Sequence, residues 1–162
     1  MRINLSAELA SILRQSPELP YYLGVYAEAQ NVHLSTLTPL NIQDYALSAE
    51  LSDRTTGGRH PLLAVSCTRI SNTRDEKFRT FSGKAELQIE IRLSHEKPDQ
   101  LSRLVQVFTT AVCEVLNVNR GEWKPGLYYP GGYEVSFLSP KFGGRSFTQS
   151  ATIKLSVHLA FD

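Results

Sequence analysis

From Ala151 to Phe161 the chain alternates apolar and polar without a break. Ala151, Ile153, Leu155, Val157, Leu159 and Phe161 fall on one side, and Thr152, Lys154, Ser156 and His158 on the other. A period of two over that length predicts a strand with one buried and one polar face. The same alternation from Gly83 to Leu93 sets Leu87, Ile89, Ile91 and Leu93 against Glu86, Gln88, Glu90 and Arg92, a second long strand. Between them the period changes. Leu101, Leu104, Val105, Phe108, Val112, Val115 and Leu116 recur at three and four, which predicts a helix from Pro98 to Asn117. Pro98 suits its first turn and Asp99 the positive end of its dipole.

Two further strands are expected at Pro61–Ile70, after Thr-Gly-Gly, and at Tyr133–Leu138, after Pro-Gly-Gly. A short helix is expected from Ala7 to Gln15, with Ser6 as N-cap and Pro17 as its stop. Residues 20–60 carry the weakest pattern. They read as an irregular extension or protruding arm, with a helical turn over Asn41–Leu51. Two hairpins around one crossing helix give an α+β fold: a four-stranded, mostly antiparallel sheet with helices packed on one face. Such long strands also predict edges that need a partner chain.

Composition narrows the picture. A chain of 162 residues is expected to form one domain over 1–162, burying roughly 70% of the surface its unfolded form exposes. Seventeen basic and sixteen acidic residues leave a net charge of +1, which argues against a dedicated nucleic-acid binder. The basic residues Arg69, Arg74, Lys77, Arg79 and Lys84 are the ones such a module would use. No apolar run nears ~18 residues and the first residues lack a signal-type core, so a soluble chain made in the cytoplasm, with no membrane partner, is expected.

Candidate chemistry is sparse. Cys67 and Cys113 have no metal-like spacing and read as two buried free thiols. His33, His60, His95 and His158 form no ligand motif and read as surface or partner-facing residues. Glu86 and Glu90 line a strand face rather than a cleft, so they read as a solvated or interfacial charge row. No nucleophile elbow, phosphate loop or dinucleotide fingerprint occurs. No catalytic residue, cofactor or metal is expected, and the chain reads as a non-enzyme.

Three loops stand out instead. Residues 71–81 mix both charge signs with Phe78 and Phe81. Either a phenylalanine covers its own sheet edge, or the segment is a docking arm using Arg74, Lys77, Phe78, Arg79 and Phe81. Residues 123–133 gather Trp123, Tyr128 and Tyr129 among turn formers, as a packed loop capping the core or as an interface. Residues 142–147 read as a hairpin connection with Arg145 at its tip.

The first helix, the Pro61-Leu62-Leu63-Ala64-Val65 strand, the alternating strand followed by Leu101–Phe108, and the closing strand 151–161 come in a telling order. In that order and pattern the chain resembles the tail terminator (tail completion) proteins of long-tailed bacteriophages. The resemblance covers residues 60–162 and the first helix. It implies a virion protein of the tail and neck, assembled in the host cytoplasm. It further implies a homo-hexameric ring that caps the tail tube protein, meets the head-completion or neck protein, and lets DNA through its lumen. A heterologous contact must then close the ring. Two other readings stand beside it: another neck or head–tail connector or adaptor, and a small-molecule-binding domain with a pocket between helix and sheet.

Overall fold

The computed structural model describes residues 3–34, 41–47 and 60–162. The first helix, α1, runs over Leu5–Gln15 and begins earlier than its pattern suggests. Asn4, not Ser6, is its N-cap: the Asn4 side chain accepts from the Ala7 backbone N–H at 3.1 Å. A second helix, α2, occupies Glu18–Gln30, inside the stretch expected to be irregular. Pro20 sits in its first turn, where no N–H is needed, and Asn31 closes it in the left-handed conformation (φ 53°). The expected turn of helix at 41–51 is replaced over Ile42–Gln43 by a short strand, β1. Residues 48–51 of that expectation lie outside the described residues.

The sheet is α+β as expected but larger than four strands. β2 covers Leu62–Asn72, β3 Phe81–His95, β4 Gly121–Lys124, β5 Leu127–Tyr129, β6 Tyr133–Phe137, β7 Lys141–Phe142 and β8 Phe147–Phe161. With β1 these make one eight-stranded sheet in the order β1-β2-β3-β8-β5-β4, with β6 and β7 also paired to β8. The four expected strands form its frame, β2-β3-β8-β6, antiparallel throughout. β3 and β8 pair over all fifteen residues, from Phe81 opposite Phe161 to His95 opposite Phe147. The other margin of β8 is tiled by β7, β6 and β5 in turn. The expectation that the long strands need outside partners is therefore corrected. The chain pairs both of their margins itself.

The third helix, α3, spans Pro98–Val118 and crosses the inner face of β3 and β8. By length and composition it could cross a membrane, yet 61% of its apolar window is buried inside the protein. Phe108, Val105, Leu101, Val112 and Leu116 meet Leu87, Ile89, Ile153 and Val157 in one core. α1 packs on β2, and α2 lies on α3, burying Leu19, Leu23 and Ala27. Both helices in contact with the sheet sit on its inner side. The opposite face carries Glu86, Lys154, Ser156 and His158 in the open.

Candidate interaction surfaces

The hairpin between β2 and β3 ends in a loop, residues 73–80, shorter than expected because Ser71, Asn72 and Phe81 belong to the strands. Its shape is fixed at Ser82, a buried serine. The Ser82 carbonyl accepts from the backbone N–H groups of Thr73 (2.9 Å) and Arg74 (2.8 Å). Its hydroxyl accepts from Glu76 N–H at 2.9 Å, and its own N–H donates to Asn72 Oδ1 at 3.2 Å. Asn72 in turn donates from Nδ2 to the Thr80 carbonyl at 3.3 Å. Arg74 adopts φ 51° to make the turn. At the neck, Gly83 has no substitute, because a Cβ there would lie 1.8 Å from the Ser71 carbonyl oxygen.

Arg79 fastens the loop to Asp162, just past β8. Its Nη1 lies 2.8 Å from Asp162 Oδ1 and its Nε 3.4 Å from Glu76 Oε2. The Asp162 hydrogen bond and charge, followed by those of Glu76 and opposed by partial desolvation, raise the guanidinium pKa. Phe78 is left 97% exposed on this fixed loop. The reading in which Phe78 covers its own sheet is thus excluded, and Phe81 takes that role, half-buried against the core. Arg74 and Lys77 are exposed and form no ion pair among the described residues.

The 123–133 segment is not a loop. Trp123 lies in β4, and Tyr128 and Tyr129 lie in β5. Pro125 and Gly126 (φ 85°) hold the two central positions of the turn between these strands. Trp123 packs on the core and donates from Nε1 to the Asn119 carbonyl at 2.7 Å. Tyr129 is fully buried, so it is a core side chain here rather than a surface one. Its hydroxyl donates to the Gly132 carbonyl at 3.1 Å, and burial first, then neighbouring Tyr133 and Cys113, pushes its pKa up to about 12. Of the three, Tyr128 alone is exposed. Arg145 is exposed in the β7–β8 hairpin, whose loop is closed by Gly143 N–H to the Ser146 carbonyl at 2.9 Å.

The candidate residues therefore divide. Arg74, Lys77, Phe78 and Arg79 gather at the arm tip, Tyr128 and Arg145 lie elsewhere on the surface, and Phe81, Trp123 and Tyr129 pack inward. A patch that the sequence reading passed over is made by Phe137, Leu138 and Phe142, exposed by 51%, 56% and 62%. It lies beside Ala151 and Phe147, at the end of the β3–β8 ladder opposite the arm. Paired aromatics around Pro140, Phe137 before it and Phe142 after, were its only signal.

The thiols differ from the expected buried pair. Cys67 is half-buried, while Cys113 is buried in α3, where burial drives its pKa up to about 11 against a lowering hydrogen bond to Tyr133. Of the histidines, His33 and His158 are exposed. His95 is half-buried, and its Nδ1 accepts from Lys97 N–H at 2.9 Å. His60 is also half-buried, with Nδ1 3.5 Å from the Arg92 carbonyl. Glu86 projects from the polar sheet face beside an open groove of about 460 Å³, lined also by Gln88, Pro130, Glu134, Lys154 and Ser156.

No family model and no curated protein matches the chain. Among solved structures it is similar to a chain of the virion of a native gene transfer agent (GTA) particle. The two are 13% identical, the match covers 95% of this chain and 94% of that chain, and the TM-score is 0.46.

Proposed function

We propose that this chain is a structural virion protein without catalysis of its own, which closes into a ring at the head-proximal end of a phage tail as a tail terminator. The observation that carries the reading is Phe78: a large aromatic, 97% exposed, on a loop hydrogen-bonded to Ser82 and ion-paired through Arg79. A fixed exposed aromatic flanked by cations has the composition of a protein-contact anchor, and it brings little ordering cost to binding. The order of elements along the chain, which resembles the terminators, supplies the specific role.

Two unlike surfaces support assembly by ring rather than by two-fold pairing. The arm tip stands at one end of the sheet and the Phe137–Leu138–Phe142 patch at the other. A closed ring needs unlike patches around its circumference and can also offer different partners at its two ends. In this role one end meets the tube and the other the neck proteins, with DNA passing through the lumen.

The test is Phe78→Ala, followed by two measurements on the same protein. Unfolding stability should stay within about 0.5 kcal/mol of the parent, as for exposed sites. Ring formation or tail completion should fall, since anchors of this kind typically cost more than ~2 kcal/mol on truncation. Lower stability with normal assembly would sink the docking role of the arm. A chain that remains monomeric at high concentration and is absent from assembled tails would sink the ring.

A further inference from the structure

We infer that the arm of one copy docks into the groove on the polar sheet face of the next copy, Phe78 entering it and Arg74 and Lys77 meeting Glu86 and Glu134. This rests on the ring reading above and names the receiving surface. The groove measures about 460 Å³ and opens on the sheet face opposite α1 and α3. Pro130 and the aliphatic stems of Gln88 and Lys154 offer an aromatic ring an apolar bed. Lys154 can also place its ammonium against the ring face.

Charge decides the occupant. Glu86 and Glu134 are exposed at the groove and form no ion pair within 4 Å among the described residues, although Arg69 and Lys154 stand opposite them in register. Arg74 and Lys77 are cations in the same position at the arm tip. Arg79 is already engaged by Asp162 and Glu76, so it positions the loop rather than meeting the neighbour. One chain thus carries two cations and Asp75 around an exposed aromatic, and two carboxylates and Lys154 around a groove, opposite patterns of charge. A second copy supplies what each lacks. The contact is heterologous, because arm and groove are different surfaces, and it propagates from copy to copy until the ring closes.

The inference is tested with three variants of the full chain, sized by analytical ultracentrifugation at concentrations where the parent forms rings. An arm variant carries Arg74→Glu and Lys77→Glu, a groove variant carries Glu86→Lys and Glu134→Lys, and a third carries all four substitutions. All four sites are exposed, and unchanged unfolding midpoints will verify the fold. The arm and groove variants should each be monomeric, with association weakened roughly thirtyfold or more. Mixed one to one, they should form rings of alternating variants, since the native arm of one meets the native groove of the other and the inverted arm meets the inverted groove. The fourfold variant should recover rings through the inverted pairs. Rings that survive both double variants overturn this docking and leave the ring itself standing. If such rings then fail to cap tail tubes, the arm's occupant is the tube protein and not a second copy. A parent chain that forms no oligomer under any of these conditions overturns both readings.

Discussion

Ser82 shows how one side chain can decide a surface. It is small, polar and buried, and the sequence gives no reason to notice it, yet its hydroxyl and carbonyl hold three backbone N–H groups of the arm loop. Phe78, by contrast, was conspicuous in sequence, but its exposure could not be read there, because an aromatic in a polar loop points inward as readily as outward. Tyr129 makes the same point in reverse. It shares residue type and neighbourhood with Tyr128, but alternation in a strand of three residues sends one into the core and the other into solvent. His60 yields a prediction at this scale. Burial chiefly, with Arg92's charge, lowers its pKa, against a smaller opposing effect of the Arg92 carbonyl. The unfolded chain therefore takes up the proton first as pH falls below the ordinary histidine value of about 6.5. Stability is retained above that value and lost as pH falls through the lower folded one. Urea midpoints measured between pH 7.5 and 5 should decline, and His60→Asn should flatten the part of the decline that begins near 6.5.

Elements were legible where one period ran long enough to exclude the other. The stripe of α3 and the alternation of β3 and β8 announce themselves over more than ten residues each, and their cores fall where the pattern puts them: Leu104, Phe108, Val112, Leu155 and Val157 are all buried. Phe108→Ala should accordingly cost roughly 3–5 kcal/mol in equilibrium urea unfolding. A loss under about 1 kcal/mol would mean that the site is far less tightly packed than its burial indicates. α2 was hidden for a physical reason. Pro20 and Gly24 look like breakers, and apolar residues surround the helix: Leu19 and Leu23 are buried while Tyr21 and Val25 are exposed. No single stripe marks it, and packing on α3 overrides its weak propensity. β1, β4, β5 and β7 escaped for want of length, having two, four, three and two residues. A strand of that size has no period to display and owes its existence to the neighbour it pairs with.

At the scale of the whole molecule, charge is balanced in number and also in place. The polar sheet face mixes Lys84, Lys154 and Arg69 with Glu86 and Glu90. A surface of that kind neutralises few phosphates and releases few counterions. Binding to duplex DNA should therefore be weak at 150 mM salt, with a shallow dependence of affinity on salt by fluorescence anisotropy; tight binding with a steep slope would assign the arm's cations to nucleic acid. β3 and β8 lie side by side for fifteen residues with no slip in register, and at about 3.3 Å per residue they make a strut of roughly 50 Å from the arm to the aromatic patch. Tension applied along that direction loads its cross-strand bonds in shear, so they must yield together and not one by one as in a zipper. Load applied along the strands between the arm end and the Phe147 end is shared by the whole ladder at once.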